Sequence, residues 1–182
     1  MSSSEHIEFS QSVEGLLKGI GTKIPPHLRE ALRTAGLDID KPLRPGYPAA
    51  DFHRWIELVA MGLHPDATRD EAVRLVGHRA VAGLEEGLIG RAVSAGLKLI
   101  GPKRAFQRVE RIFKNNNNYQ EAQLVELTES SARVKLSQVY GLPTYYQGLF
   151  EASTRIIGAK SPTVTLLASP PPGALLEIAW QL

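Results

Sequence analysis

Cysteine is absent from the 182-residue chain. Disulfides, a thiol nucleophile and a thiolate metal site are thereby excluded, and the cytoplasm is the expected compartment. Long apolar runs are missing too. The most apolar window, residues 84–100, is broken by Glu85, Glu86, Arg91 and Lys98, so no membrane span is expected. The start, Met1-Ser-Ser-Ser-Glu-His, lacks a basic segment followed by an apolar one and does not read as a secretory signal. An excess of charge is lacking as well. The formal net charge is +2 and the pI about 8.9, too mild for a nucleic-acid partner.

The motifs of catalysis are equally scarce. Among the five histidines, His53 (in Asp51-x-His53) and His64 (in His64-x-Asp66) stand close to an acid, and neither pair has metal-ligand spacing. No Gly-x-Ser-x-Gly elbow and no Gly-x-x-x-x-Gly-Lys phosphate loop occurs, and Gly19-Ile20-Gly21 is a lone fragment. The chain is therefore expected to hold no metal and no cofactor and to be no enzyme. A buried carboxylate and histidine sharing one cleft would reopen that question.

What is present is a globular composition, 43% hydrophobic and 22% charged, enough for one core. Residues 1–8 are polar and expected to be a disordered tail, with a single domain over 9–182. Residues 9–20 mix apolar residues with Gly15 and Gly19 and fit either strand or helix. Pro25-Pro26 opens a helix that Gly36 stops. Residues 37–47 read as loop. Phe52, Trp55, Ile56 and Val59 mark the next helix, from about Pro48 to Met61. Thr68 and Glu71 form a capping box for a following helix. Gly83, Gly87, Gly90 and Gly96 punctuate the stretch 84–99, which suits a tightly packed core helix or an oligomer seam.

From Pro102 to Lys114 one clean helix is expected. Ala105, Phe106, Val109, Ile112 and Phe113 share one arc; Lys103, Arg104, Arg108, Arg111 and Lys114 share the other. The basic arc is a solvated face or a contact for an anionic partner. Asn115 to Asn118 and Tyr119 then form the joint. Asparagine bonds its own backbone and tolerates left-handed conformations, so the run suits a change of direction. Past it the apolar residues alternate. Strands are expected at 122–127, 131–138, 163–168 and 174–180, with a helix over 145–157. Residues 9–114 thus form a mainly helical part and 115–182 an antiparallel four-stranded sheet with an inserted helix, an α+β fold. Tyr119, Tyr145 and Tyr146 are candidates to rim a pocket between the two parts.

The order of "YPAADFHRWIEL", "TRDEAVRLVGHRAVAGLEEGLIGRA", "GPKRAFQRVERIFKNNNNYQEAQLVEL" and "YYQGLFEASTRIIGAKSPTVTLL…LEIAWQL" resembles a large paralogous family of proteins of unknown function found mainly in myxobacteria. That family is similar to the haem nitric-oxide/oxygen-binding superfamily, which also holds 4-vinyl-reductase domains and subunits of vesicle-tethering complexes. The resemblance implies the same plan, helices first and then a sheet with an inserted helix. It further implies, in haem-binding members, an axial histidine near the joint and a Tyr-x-Ser-x-Arg motif near Val134 to Tyr140. Here Asn115 to Glu121 has no histidine, and residues 134–140 read Val-Lys-Leu-Ser-Gln-Val-Tyr. Haem is accordingly not expected in that manner. The expected role is a regulatory or interaction module, its partner another protein or a second copy. The contacts are expected at Arg104, Arg108, Arg111, Asn117, Asn118, Tyr119, Tyr145 and Tyr146. An apolar small molecule or lipid held between the halves is the alternative.

Overall fold

The computed structural model describes residues 5–86 and 88–181. Strand β1 (Ile7–Phe9) leads into helix α1 (Ser10–Ile20) and helix α2 (Pro26–Thr34). Strand β2 (Gly46–Pro48) and helix α3 (Ala49–Leu63) follow, then helix α4 (Arg69–Glu86), helix α5 (Leu88–Phe106) and the short helix α6 (Val109–Lys114). The second half is β3 (Ala122–Leu127), β4 (Ser131–Leu136), α7 (Pro143–Ile156), β5 (Lys160–Ala168) and β6 (Ala174–Gln181). The α+β plan expected from periodicity is the one found.

Helix α4 is the axis of the helical half. Its start is the expected capping box: Thr68 Oγ1 donates to Glu71 Oε2 at 2.8 Å, and the Thr68 amide reaches the same carboxylate at 3.1 Å. Both its neighbours approach backbone to backbone. A Cβ on Gly77 would lie 2.2 Å from the Tyr145 carbonyl of α7, and one on Gly83 would lie 2.2 Å from the Gly15 carbonyl of α1. These contacts are where the glycines repay their helix-propensity cost of about 1 kcal/mol each. Arg74 and His78 of α4 also pin Glu151 of α7, the histidine Nε2 lying 2.7 Å from its carboxylate.

The sheet has strand order β3-β4-β6-β5, every neighbour antiparallel. Val134 pairs with Leu176 and Leu176 with Leu166, so the alternating apolar residues of adjacent strands share a face. That face, with Ala132, Leu136, Ile178 and Trp180, is buried.

Four expectations are corrected. The tail does not extend to residue 8: residues 5–9 run in extended form, β1 pairs with β2, and Glu8 is buried. Residues 1–4 lie outside the described residues. The polar letters of this segment misled because its backbone pairs with β2 and its Glu8 side chain is buried against Tyr119. Second, 9–20 is a short strand end followed by a helix, and the loop 37–47 contains the start of β2. Third, the helix 102–114 is broken. Gly101 has φ 77°, a left-handed value that separates Pro102 from the rest of α5, and the chain turns again at Gln107–Arg108 before α6. Fourth, 91–100 is no core helix. Val93 is 55% and Leu99 89% exposed, and a Cβ on Gly96 would meet nothing within 4 Å. Gly87 lies outside the described residues.

Candidate functional site

The asparagine run holds residues 5–9. Asn116 Nδ2 donates to the Ile112 carbonyl at 3.0 Å and closes α6. Asn117 is buried, and its Oδ1 accepts the amides of Tyr119 (3.2 Å) and Gln120 (2.7 Å), which turns the chain toward β3. Asn118 works outward. Its Oδ1 accepts the Ile7 amide at 2.7 Å, and its Nδ2 donates to the Glu5 carbonyl at 3.0 Å. The amide side chain thus pairs with the extended segment as a strand would. Phe9 N to Asn116 O at 2.8 Å and Ala49 N to His6 O at 2.8 Å secure the other edges. The second of these bonds satisfies an otherwise unpaired amide at the start of α3.

Held this way, Glu8 is delivered into the interior, 4% exposed. Tyr119 Oη donates to its Oε2 at 2.8 Å. Burial raises the carboxyl to about 7, with Ser12 and Tyr119 hydrogen bonds offsetting only part of the effect. Across the cluster His53 of α3, 3% exposed, lies on the row Ala49, His53, Ile56, Ala60. Its Nδ1 is 2.7 Å from the Ala49 carbonyl, which can only accept, so Nδ1 carries the proton. Nε2 is then the acceptor for Tyr146 Oη at 3.1 Å. Burial lowers His53 to about 4, despite the bond to Ala49. Burial likewise pushes the Tyr119, Tyr145 and Tyr146 hydroxyls far above their ordinary range.

Tyr140 closes the group. Its ring stacks on His53 at 4.5 Å, and its hydroxyl meets His6 Nδ1 at 2.7 Å. His6 in turn stacks on Tyr119 at 5.0 Å. Tyr140 has φ 47°, a strained value for a residue with a Cβ. A carboxyl and an imidazole with displaced titrations therefore share one cluster. Both are buried, and the surrounding phenols are held protonated.

Outside this cluster, Phe9, Lys114, Asn117, Asn118, Tyr119, Gln120 and Glu121 line a shallow, open depression. The structure thus brings Asn117, Asn118 and Tyr119 together. Tyr145 and Tyr146 are not rim residues: both are 4% exposed and belong to the core, because they pack against Phe52 and His53 of α3 and Phe113 of α6. Arg104, Arg108 and Arg111 are exposed, form no ion pair among the described residues and do not line the depression. Glu8, Gln120 and the full role of His53 were missed. The signal for His53 was its spacing of four from Ala49 and three from Ile56; for Glu8 it was only its apolar neighbours Ile7 and Phe9.

A second feature lies between α7 and the sheet. Trp180 stacks on Phe106 at 5.3 Å, Phe106 on Phe150 at 6.2 Å, Phe150 on Phe113 at 5.9 Å, and Phe113 on Tyr146 at 6.4 Å. Rings from β6, α5, α6 and α7 thus form one continuous column. Among the described residues no group of three or more His, Asp or Glu side chains is placed to hold a metal ion, and no helix is long and apolar enough to cross a membrane.

Comparison with known proteins bears on the fold. The family model described as Protein of unknown function (DUF2378) matches residues 6–181. Solved H-NOX structures share the architecture. One, described under structural insights into the mechanism of H-NOX activation, is 12% identical with a TM-score of 0.68, covering 96% of this chain and 97% of that one. An Fe(II) unliganded H-NOX protein from K. algicida is 11% identical, with a TM-score of 0.65 and the same coverage. An oxygen-binding H-NOX domain related to soluble guanylate cyclases is 13% identical, with a TM-score of 0.64, covering 95% of this chain and 93% of that one. Comparison with curated proteins gave no match.

Proposed function

The chain belongs to this family of unknown function, and on its H-NOX-like scaffold we propose a cytoplasmic, non-catalytic regulatory module that binds another protein and works without haem. The observation that carries this reading is the aromatic column. Five stacked rings from β6, α5, α6 and α7 form this part of the core, so a planar macrocycle inserted there would have to displace them. All five histidines precede residue 79, so none lies on α5, on α6 or in the sheet. The residues present do not fit haem held in the manner the family resemblance implies. An apolar ligand at that place would likewise have to displace the column, which favours a surface role over a carrier role. Glu8 and His53 share a buried cluster whose burial shields them from any substrate, and the carboxylate of the other acid–imidazole pair, Glu151 with His78, is buried and held by Arg74. What remains accessible is the junction, with its depression, and the cationic stretch around Arg104, Arg108 and Arg111.

The test is direct. Protein purified from a haem-sufficient host, and protein offered haem afterwards, is expected to show no Soret band. A stoichiometric Soret band in either sample refutes the haem-free reading. Pull-down with the native chain is expected to recover a specific protein. Recovery of nothing specific, by the native chain and by an arginine-reversed chain alike, refutes the interaction reading.

A further inference from the structure

Helix α5 departs from the rest of the fold in how it meets solvent. Its inward row is Ser94, Leu97 and Ile100, all half-buried. Its outward row is Ala92, Ala95, Gly96 and Leu99, spaced i, i+3, i+4, i+7. The outward row is the apolar one, so the usual amphipathic logic of a surface helix is reversed. Val93 flanks it, and Leu99 is the most exposed large hydrophobic residue described. Among the described residues nothing lies within 4 Å of a Cβ built on Gly96, and Ala92, Ala95 and Leu99 are exposed.

Charge tells what does. Residues 88–114 hold seven Lys and Arg against a single acid, Glu110, although the whole chain is only +2. Lys103 pairs with Glu129 and Lys114 with Glu110. Arg91, Lys98, Arg104, Arg108 and Arg111 form no ion pair among the described residues. A second copy presenting the same face would set cation against cation, which disfavours self-pairing there. A membrane surface is a poor match too. Interfacial helices bury bulky aromatic and leucine side chains, whereas this row offers two alanines, a glycine and one leucine. A narrow row of small residues instead admits another helix at close range. Gly96 fits that role, since it costs helix propensity and meets nothing within this chain.

We infer that the segment 88–114 docks an acidic amphipathic helix of a partner protein. That helix lays its apolar side along Ala92, Ala95, Gly96 and Leu99 and its carboxylates against Arg91, Lys98, Arg104, Arg108 and Arg111. This rests on the interaction reading given above and names its partner class and surface.

The experiment places a photoreactive benzoylphenylalanine at position 99 of the full chain in its native cells. A second chain carries it at Glu121, beside the junction depression. The expected result is a discrete adduct at position 99 whose cross-linked peptide lies in an acid-rich helical segment of another protein. Its yield falls at least about tenfold with Arg104→Glu, Arg108→Glu and Arg111→Glu combined, and falls between about 0.1 M and 0.5 M salt in extracts. Those arginines form no ion pair among the described residues, so unchanged thermal unfolding verifies the fold of the reversed chain. Gly96→Leu is expected to remove the adduct while leaving thermal unfolding unchanged. An adduct insensitive to reversal, one within a second copy of this chain, or one with a segment that is not acidic overturns the proposal. So does salt-sensitive sedimentation with vesicles containing about one-third phosphatidylglycerol, if no protein adduct forms. Silence at position 99 with capture at 121 overturns this surface and leaves the interaction reading standing; silence at both overturns the two together.

Discussion

Replacing Glu8 by glutamine is expected to reshape the pH dependence of stability. Glu8 titrates at about 4.5 in an unfolded chain and at about 7 in the fold. Its favourable contribution is complete below pH 4.5 and is lost as pH rises through 7, because the fold must then hold a buried carboxylate. The loss is about 3 kcal/mol at pH 8. His53 behaves in the opposite sense. It titrates at about 6.5 unfolded and about 4 folded, so its contribution is complete above 6.5 and is lost as pH falls through 4. Between pH 4.5 and 6.5 the two slopes, each about 1.4 kcal/mol per pH unit, oppose and largely cancel. Glu8→Gln keeps the shape and the acceptor for Tyr119 but has no charge to lose. The variant is expected to be more stable than the parent by up to about 3 kcal/mol at pH 8 and to approach it near pH 4.5. Its stability should rise through the window where the parent is flat. Urea unfolding at half-unit steps from pH 4.5 to 8.5 measures this. A variant curve parallel to the parent's, or a variant weaker at pH 8, refutes the buried, raised carboxyl of Glu8 described above.

Three further outcomes follow from packing. Gly148→Val places a Cβ 1.9 Å from the Arg74 carbonyl, forces α4 and α7 apart, and is expected to cost about 3 kcal/mol or more by chemical denaturation. Glu151→Gln leaves Arg74 without its buried partner. Burial alone would raise this carboxyl, yet the bonds from His78 and Arg74 outweigh it and hold it below its ordinary range. Because Arg74 is half exposed, the expected cost is about 2 kcal/mol, checked by a double-mutant cycle with Arg74→Met. Asn118→Ala removes both side-chain bonds to residues 5–7 and should speed amide exchange at Ile7 in a way that corresponds to about 1–2 kcal/mol, while exchange in α4 is unchanged.

Much of the fold follows from local pattern. The alternation of Ala132, Val134 and Leu136 with Arg133, Lys135 and Ser137 fixes which face of β4 is buried, because side chains project with period two. The row Phe52, Trp55, Ile56 and Val59 does the same for α3, and Thr68 with Glu71 marks the start of α4 to the residue. The asparagines end one pattern and begin the other through bonds to their own backbone, which is local chemistry.

Only the tertiary structure decided the rest. That Asn118 grips residues 5–7 depends on groups more than a hundred positions apart meeting in space, and so does the burial of Glu8 against Tyr119. The sheet order β3-β4-β6-β5 and the aromatic column are likewise products of long-range closure. The exposure of Leu99 was hidden for the complementary reason. Periodicity states that a row is apolar, but only the positions of the neighbouring elements determine whether anything covers it.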